Sequence, residues 1–122
     1  MKYKFTIGQR LPSLNDYIDV CRFNKYQANT FKKNIESLIS YEILSQLKGL
    51  TINKQVYVHI KFIEENKKRD IDNIYSASKY ILDALVKMKV LKNDSPRYVK
   101  DIFYSHEYAK ENKVIVELEE VE

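Results

Sequence analysis

The chain has 122 residues, with 21 Lys and Arg against 17 Asp and Glu and a formal net charge of +4. That length suits one domain spanning 1–122 and leaves little room for a second. A single cysteine, Cys21, excludes an intrachain disulfide, and no apolar stretch approaches a bilayer span or a secretory leader, so a soluble cytoplasmic protein without a membrane partner is expected.

Lys2–Ile7 alternates enough to predict a short strand. Gly8–Lys25 runs through Pro12, Ser13, Asn15 and Asp16 and predicts a long loop, of a kind that is often functional. Ala28–Leu47 carries Phe31, Ile35, Leu38, Ile39 and Leu47 at helical spacing, with Gly49 as its stop. Gln55–Ile63 predicts a strand, because Val56, Val58, Ile60 and Phe62 alternate with Tyr57, His59 and Lys61. A second helix is predicted over Asp72–Lys89, with Ile74, Ile81, Leu85 and Met88 on one stripe, and Asn93-Asp94-Ser95-Pro96 predicts a turn. Tyr98–Ser105 and Lys113–Glu120 predict two strands joined as a hairpin across the polar stretch Glu107–Asn112. The order β-α-β-α-β-β implies an α+β domain with two helices packed on a small mixed sheet.

Charge is unevenly spread. Lys67, Lys68 and Arg69 form a run in the middle of the chain, the first third is rich in lysine and arginine, and Glu117, Glu119, Glu120 and Glu122 close it. A basic body with an acidic tail suits a polyanionic partner, although Lys-rich surfaces also serve solubility alone.

The segment richest in chemistry is Arg69-Asp70-Ile71-Asp72-Asn73. Residues two apart share a face only while the chain is extended and lie about 200° apart in a helix. Asp70 and Asp72 can therefore serve one metal only if Asp70 sits at or near the N-cap and Asp72 in the first turn. Magnesium suits such a pair, since it takes oxygen ligands and is usually held by one or two carboxylates plus substrate phosphate. The alternative is purely structural: aspartates at a helix start satisfy its free N–H groups and its dipole. The Lys-Lys-Arg run directly against the pair fits a phosphate approaching the metal.

Arg69-Asp70-Ile71-Asp72-Asn73, then Lys79, then Asp83-Ala84-Leu85, then Asn93-Asp94-Ser95 resembles the signature of the RusA-like Holliday junction resolvases, crossover junction endodeoxyribonucleases. Pro12-Ser13-Leu14-Asn15 resembles the family's N-terminal P-S-x-N element, with Arg22 matching the basic residue after it, so the match touches residues 12 to about 95. The resemblance implies a RusA-like fold, magnesium bound by Asp70, Asp72 and Asp94 (manganese as a possible substitute), and catalytic help from Lys79. It also implies a homodimer that nicks two strands symmetrically and a bacterial or phage-encoded, nucleoid-associated protein of DNA recombination and repair. The chain departs from the family pattern in two places: the interval before Lys79 is about one helical turn longer than in the best-known member, and Asn93 stands where the family often has aspartate.

On one straight helix Asp72, Lys79 and Asp83 would share a polar face. Asp83 would still lie about 16 Å past Asp72, too far to share its metal, which makes it an i,i+4 partner for Lys79. Asp94 would lie beyond a helix about 25 Å long. It could reach the metal by a sharp fold-back, by a late helix start, or from the other subunit of an antiparallel dimer. Among the ten tyrosines, Tyr3, Tyr17, Tyr26, Tyr98 and Tyr104 are candidates for stacking on unpaired bases, or are half-buried strand residues. His59 and His106 have no metal-ligand spacing and are expected on strand surfaces, and Cys21 has no histidine near it in sequence.

The expected activity is magnesium-dependent hydrolysis of phosphodiesters at branched DNA, four-way junctions above all, leaving a 5′-phosphate and a 3′-hydroxyl as the resemblance implies. Asp70, Asp72, Lys79 and Asp94 would form the catalytic set. Asn15, Arg22, Lys67, Lys68 and Arg69 would contact DNA. The rivals are a branched-DNA-binding module of the same fold that does not cleave, and a structural domain whose aspartates only cap a helix.

Overall fold

The computed structural model describes residues 1–122. In chain order the elements are β1 (Lys2–Ile7), α1 (Leu14–Phe23), α2 (Lys25–Leu47), β2 (Val56–Glu64), α3 (Ile71–Ser76), α4 (Ser78–Lys87), β3 (Val99–Tyr108) and β4 (Lys113–Glu120). The four strands form one mixed sheet in the order β1-β4-β2-β3. β4 runs antiparallel to both β1 and β2, and β3 runs parallel to β2. The α+β class with a small mixed sheet is therefore present.

The strand pattern explains the layering. Phe5 and Ile7, Val56, Val58, Ile60 and Phe62, and Val114, Val116 and Leu118 are buried at alternate positions. Side chains on a strand alternate faces, so these line one side of the sheet. Ile35, Ile39 and Ile43 of α2, at i, i+4 and i+8, and Ile81 and Leu85 of α4 join the same cluster. The other face carries Lys2, Lys4, Tyr57, His59, Lys61, Glu117 and Glu119, all exposed or half-buried. No helix is long and apolar enough to cross a membrane.

Four expectations need correction. The long loop expected over Gly8–Lys25 contains α1. Ser13 Oγ accepts from the Asp16 amide at 3.2 Å while Asp16 Oδ2 accepts from the Ser13 amide at 2.8 Å, a capping box that starts the helix. No residue of α1 is fully buried, so a hydrophobic stripe had little to show. α2 begins at Lys25 rather than Ala28, because the Asn24 side chain accepts from the Tyr26 and Gln27 amides at 2.8 and 3.3 Å.

The single helix expected over Asp72–Lys89 is broken at Ala77 into α3 and α4. There the bonding tightens to three-residue steps, Ala77 N to Ile74 O and Tyr80 N to Ala77 O, at 3.4 and 3.1 Å. Ser76 Oγ donates to Asn73 O at 2.7 Å, a side-chain bond that competes with the helical ladder and bends it.

The expected hairpin is absent, since β2 lies between β3 and β4. The segment after β3 crosses the end of β2, where Ala109 N donates to Glu64 O at 3.0 Å and Glu65 N to Asn112 Oδ1 at 2.9 Å. β2 is the strand with the longest buried run, and the interior of the sheet is where it removes the most apolar surface from water. β3, exposed at most positions, takes an edge.

Candidate functional site

Glu64 ends β2 with its side chain buried, 3 % exposed. Arg69 meets it with a bidentate fork, Nε to Oε1 at 3.0 Å and Nη2 to Oε2 at 2.9 Å, while Nη1 donates to Leu11 O at 3.0 Å. The Arg69 side chain is only 13 % exposed. Its guanidinium is thus an internal anchor joining the β2 end to the Leu11 turn, not a surface group free for DNA. Lys67 and Lys68 are exposed.

That anchor fixes the start of α3. Asp70 is its N-cap, with extended backbone at φ −66° and ψ 152°, and Asp72 lies in the first turn. This is the arrangement that a shared site for the two carboxylates requires. Asp70 makes no capping hydrogen bond with its side chain. Both residues are exposed, and neither is among the ion-paired acids of the fold.

The Pro12-to-Asn15 segment lies against α3. Asn15 Nδ2 donates to Asn73 Oδ1 at 2.7 Å, and Leu14 N donates to Ser76 Oγ at 3.0 Å. Two segments that the sequence linked only by motif are therefore stitched together in space. Arg22 occupies the last turn of α1, about 10 Å along the helix from Asn15, and is exposed.

Lys79 and Asp83 form the i,i+4 pair expected, at 3.1 Å. The Asp83 hydrogen bond and its charge hold the Lys79 ammonium above the usual lysine range, and Asp94 adds to the effect. Asp94 is therefore close enough to act on Lys79 within one chain. The route is a sharp turn after α4. Lys89 takes a left-handed backbone at φ 60°, Val90 N and Leu91 N both donate to Leu85 O at 3.0 and 3.3 Å, and buried Val90 and Leu91 return the chain. Asn93 Oδ1 then accepts from the Ser95 amide at 2.9 Å and from the Ser95 hydroxyl, so this side chain builds the turn that presents Asp94.

No group of three or more His, Cys, Asp or Glu side chains is placed to hold a metal ion. Asp94 does not join Asp70 and Asp72 in that sense. The chemistry of the remaining pair, two exposed carboxylates without protein cations, fits magnesium completed by water and a substrate phosphate. Asp70, Asp72, Lys79 and Asp94 are all exposed, and none of them lines a concavity of the surface. A groove of about 400 Å³ lies instead on the open face of the sheet, lined by His59, Phe103 and Glu117 among others.

The sequence offers Tyr104 for stacking but not the cluster it belongs to. Tyr75 of α3 meets His106 of β3, Oη to Nδ1 at 2.6 Å, and its ring stacks on Tyr104 at 5.0 Å. The available signal was the period-two run Tyr104, His106, Tyr108. It was lost because the strand was expected to stop at Ser105. No family model matches the chain, and no curated protein matches it either.

Proposed function

We propose that the chain is a magnesium-dependent, structure-selective DNA endonuclease of the RusA-like kind, acting on four-way junctions or related branched DNA as a homodimer. The observation that carries this reading is the exposed Asp70–Asp72 pair at the start of α3, held by the Arg69–Glu64 anchor and stitched to the Pro12–Asn15 segment. Two segments of the signature, Pro12–Asn15 and Arg69–Asn73, are far apart in sequence and meet at the start of α3.

In this reading Asp70 and Asp72 hold the ion, which when bound would activate water and neutralise charge on the phosphodiester. Lys79, its ammonium form further favoured by the hydrogen bond to Asp83, faces phosphate oxygens as charge develops on them. Asp83 positions Lys79 rather than touching substrate. Lys67 and Lys68 steer the DNA backbone, with Asn15 and Arg22 as further contacts, and Arg69 holds the site together from beneath. A third carboxylate comes from Asp94, either by local movement of its turn or from the partner subunit. Mixing Asp70→Asn and Asp94→Asn subunits separates the two: shared sites restore one site per heterodimer, and no recovered nicking favours a site within one chain.

The second reading is a branched-DNA-binding module that does not cleave, and the lack of a three-acid cluster favours it. A labelled four-way junction, incubated with and without magnesium, decides. Paired symmetrical nicks that require the ion support the enzyme, and a shifted but intact junction supports the binder.

A further inference from the structure

On the β3 side of α3 lies an aromatic patch that includes Tyr104, one of the tyrosines offered by the sequence for base stacking. Tyr75 stacks on Tyr104 with ring centroids 5.0 Å apart and planes 21° apart. His106 sits edge-on to both Tyr75 and Tyr108, at 5.7 and 5.8 Å. Ser78 Oγ lies 3.2 Å from Tyr104 Oη, and the Tyr75 hydroxyl bonds His106. Hydrogen bonds thus hold Tyr75, His106 and Tyr104, while Tyr108 is held by its ring contact with His106; Tyr104 is 40 % and Tyr108 36 % exposed. An exposed ring face offers a surface on which another flat ring can stack.

The surrounding charge says what that is. Glu107 is bonded to Lys61 at 3.0 Å, Glu111 to Lys113 at 2.7 Å, and Glu64 to Arg69. Lys67 stands over the Tyr108 ring, 5.3 Å from its centroid, and Lys68 and Lys110 are exposed and form no ion pair; Glu65 and Asp101 are the acids of the adjoining segments that also form none. Neutralised acids and free lysines around exposed rings match a nucleic acid strand, with cations for phosphate and rings for bases. Asp72 and Tyr75, three apart on α3, point to one side of that helix, so the patch adjoins the acidic pair.

We infer that Tyr104 and Tyr108, braced by Tyr75 and His106, form a shelf on which an unpaired nucleobase stacks while its strand passes the acidic pair. The inference rests on the DNA reading for the course of the strand. It names the substrate feature selected: an unstacked base next to the phosphate at Asp70 and Asp72. Stacking is tolerant of base identity because every base has a π-face, so the shelf selects for structure over sequence.

The test is an NMR titration of the full chain with a short oligothymidine in EDTA. The ring protons of Tyr104, His106 and Tyr108 should shift, and Tyr104→Leu and Tyr108→Leu should each weaken binding about tenfold. Unmoved ring resonances in the wild-type protein, which need no variant to fold, overturn the shelf, as do Leu variants that bind as tightly as wild type. The junction assay keeps the two readings apart. Shifting rings in a protein that leaves junctions intact with magnesium would retain the shelf and remove the endonuclease. Nicking with unmoved rings would do the reverse.

Discussion

Asn15 Nδ2 lies 2.7 Å from Asn73 Oδ1 and donates to it across 58 positions of sequence. With the bond from Leu14 N to Ser76 Oγ it pins the start of α1 to the helix that carries Asp72. Ser76→Ala removes that second bond and the back-bond to Asn73 O together. The expected cost is about 1–2 kcal/mol, with faster hydrogen exchange at the Leu14 amide. Unchanged exchange there would mean the two segments are held by other contacts.

The Glu64–Arg69 fork makes a larger demand. Removing one partner of a buried ion pair leaves an uncompensated charge, and Arg69→Ala should cost about 3–5 kcal/mol in urea unfolding. Replacing both by apolar residues, as in Glu64→Leu with Arg69→Met, should cost much less. If Arg69 served DNA alone, Arg69→Ala would leave stability unchanged and weaken binding only.

Tyr80 gives the fold an alkaline limit. Burial, with the negative charge of Asp16 behind it, pushes its hydroxyl up to about 12. A group whose folded pKa lies above its unfolded value binds the extra proton in the native state. Its contribution is therefore complete below pH about 10 and is lost as pH rises toward 12. The loss should be on the order of 2 kcal/mol, and Tyr80→Phe should flatten stability over that window.

Lys79 tests the fold-back of the chain. Asp83→Asn should lower the Lys79 pKa, and Asp94→Asn should lower it by less, since Asp83 is the nearer and stronger partner. Heteronuclear NMR of the lysine side chain at low protein concentration reads both. No effect from Asp94→Asn would place that carboxylate away from Lys79 in the single chain.

The parts legible in sequence were those with strong periodicity. β1, β2, β4 and the body of α2 follow from alternation or helical spacing, while the geometry of residues two apart set only the condition, Asp70 before the helix and Asp72 inside it, that a shared metal needs and that the helix start at Ile71 meets. α1 was hidden because it buries no residue fully and announces itself only by the Ser13–Asp16 capping box. The α3–α4 break was hidden because Ser76 competes for backbone bonds without interrupting the apolar stripe. The pairing of β3 with β2 is non-local, and short linkers bias a sequence argument toward hairpins. Arg69 looked like part of a basic run because its partner, Glu64, is brought in only by the fold.

The proposed activity requires Asp70 and Asp72 to hold one hard divalent ion. Crystals soaked in manganese, with anomalous scattering recorded from the metal, test it directly. A peak bridged by oxygens of both carboxylates in the wild-type protein, and lost in Asp72→Asn, is the predicted result. An empty map between them, with the two side chains turned apart, would contradict it.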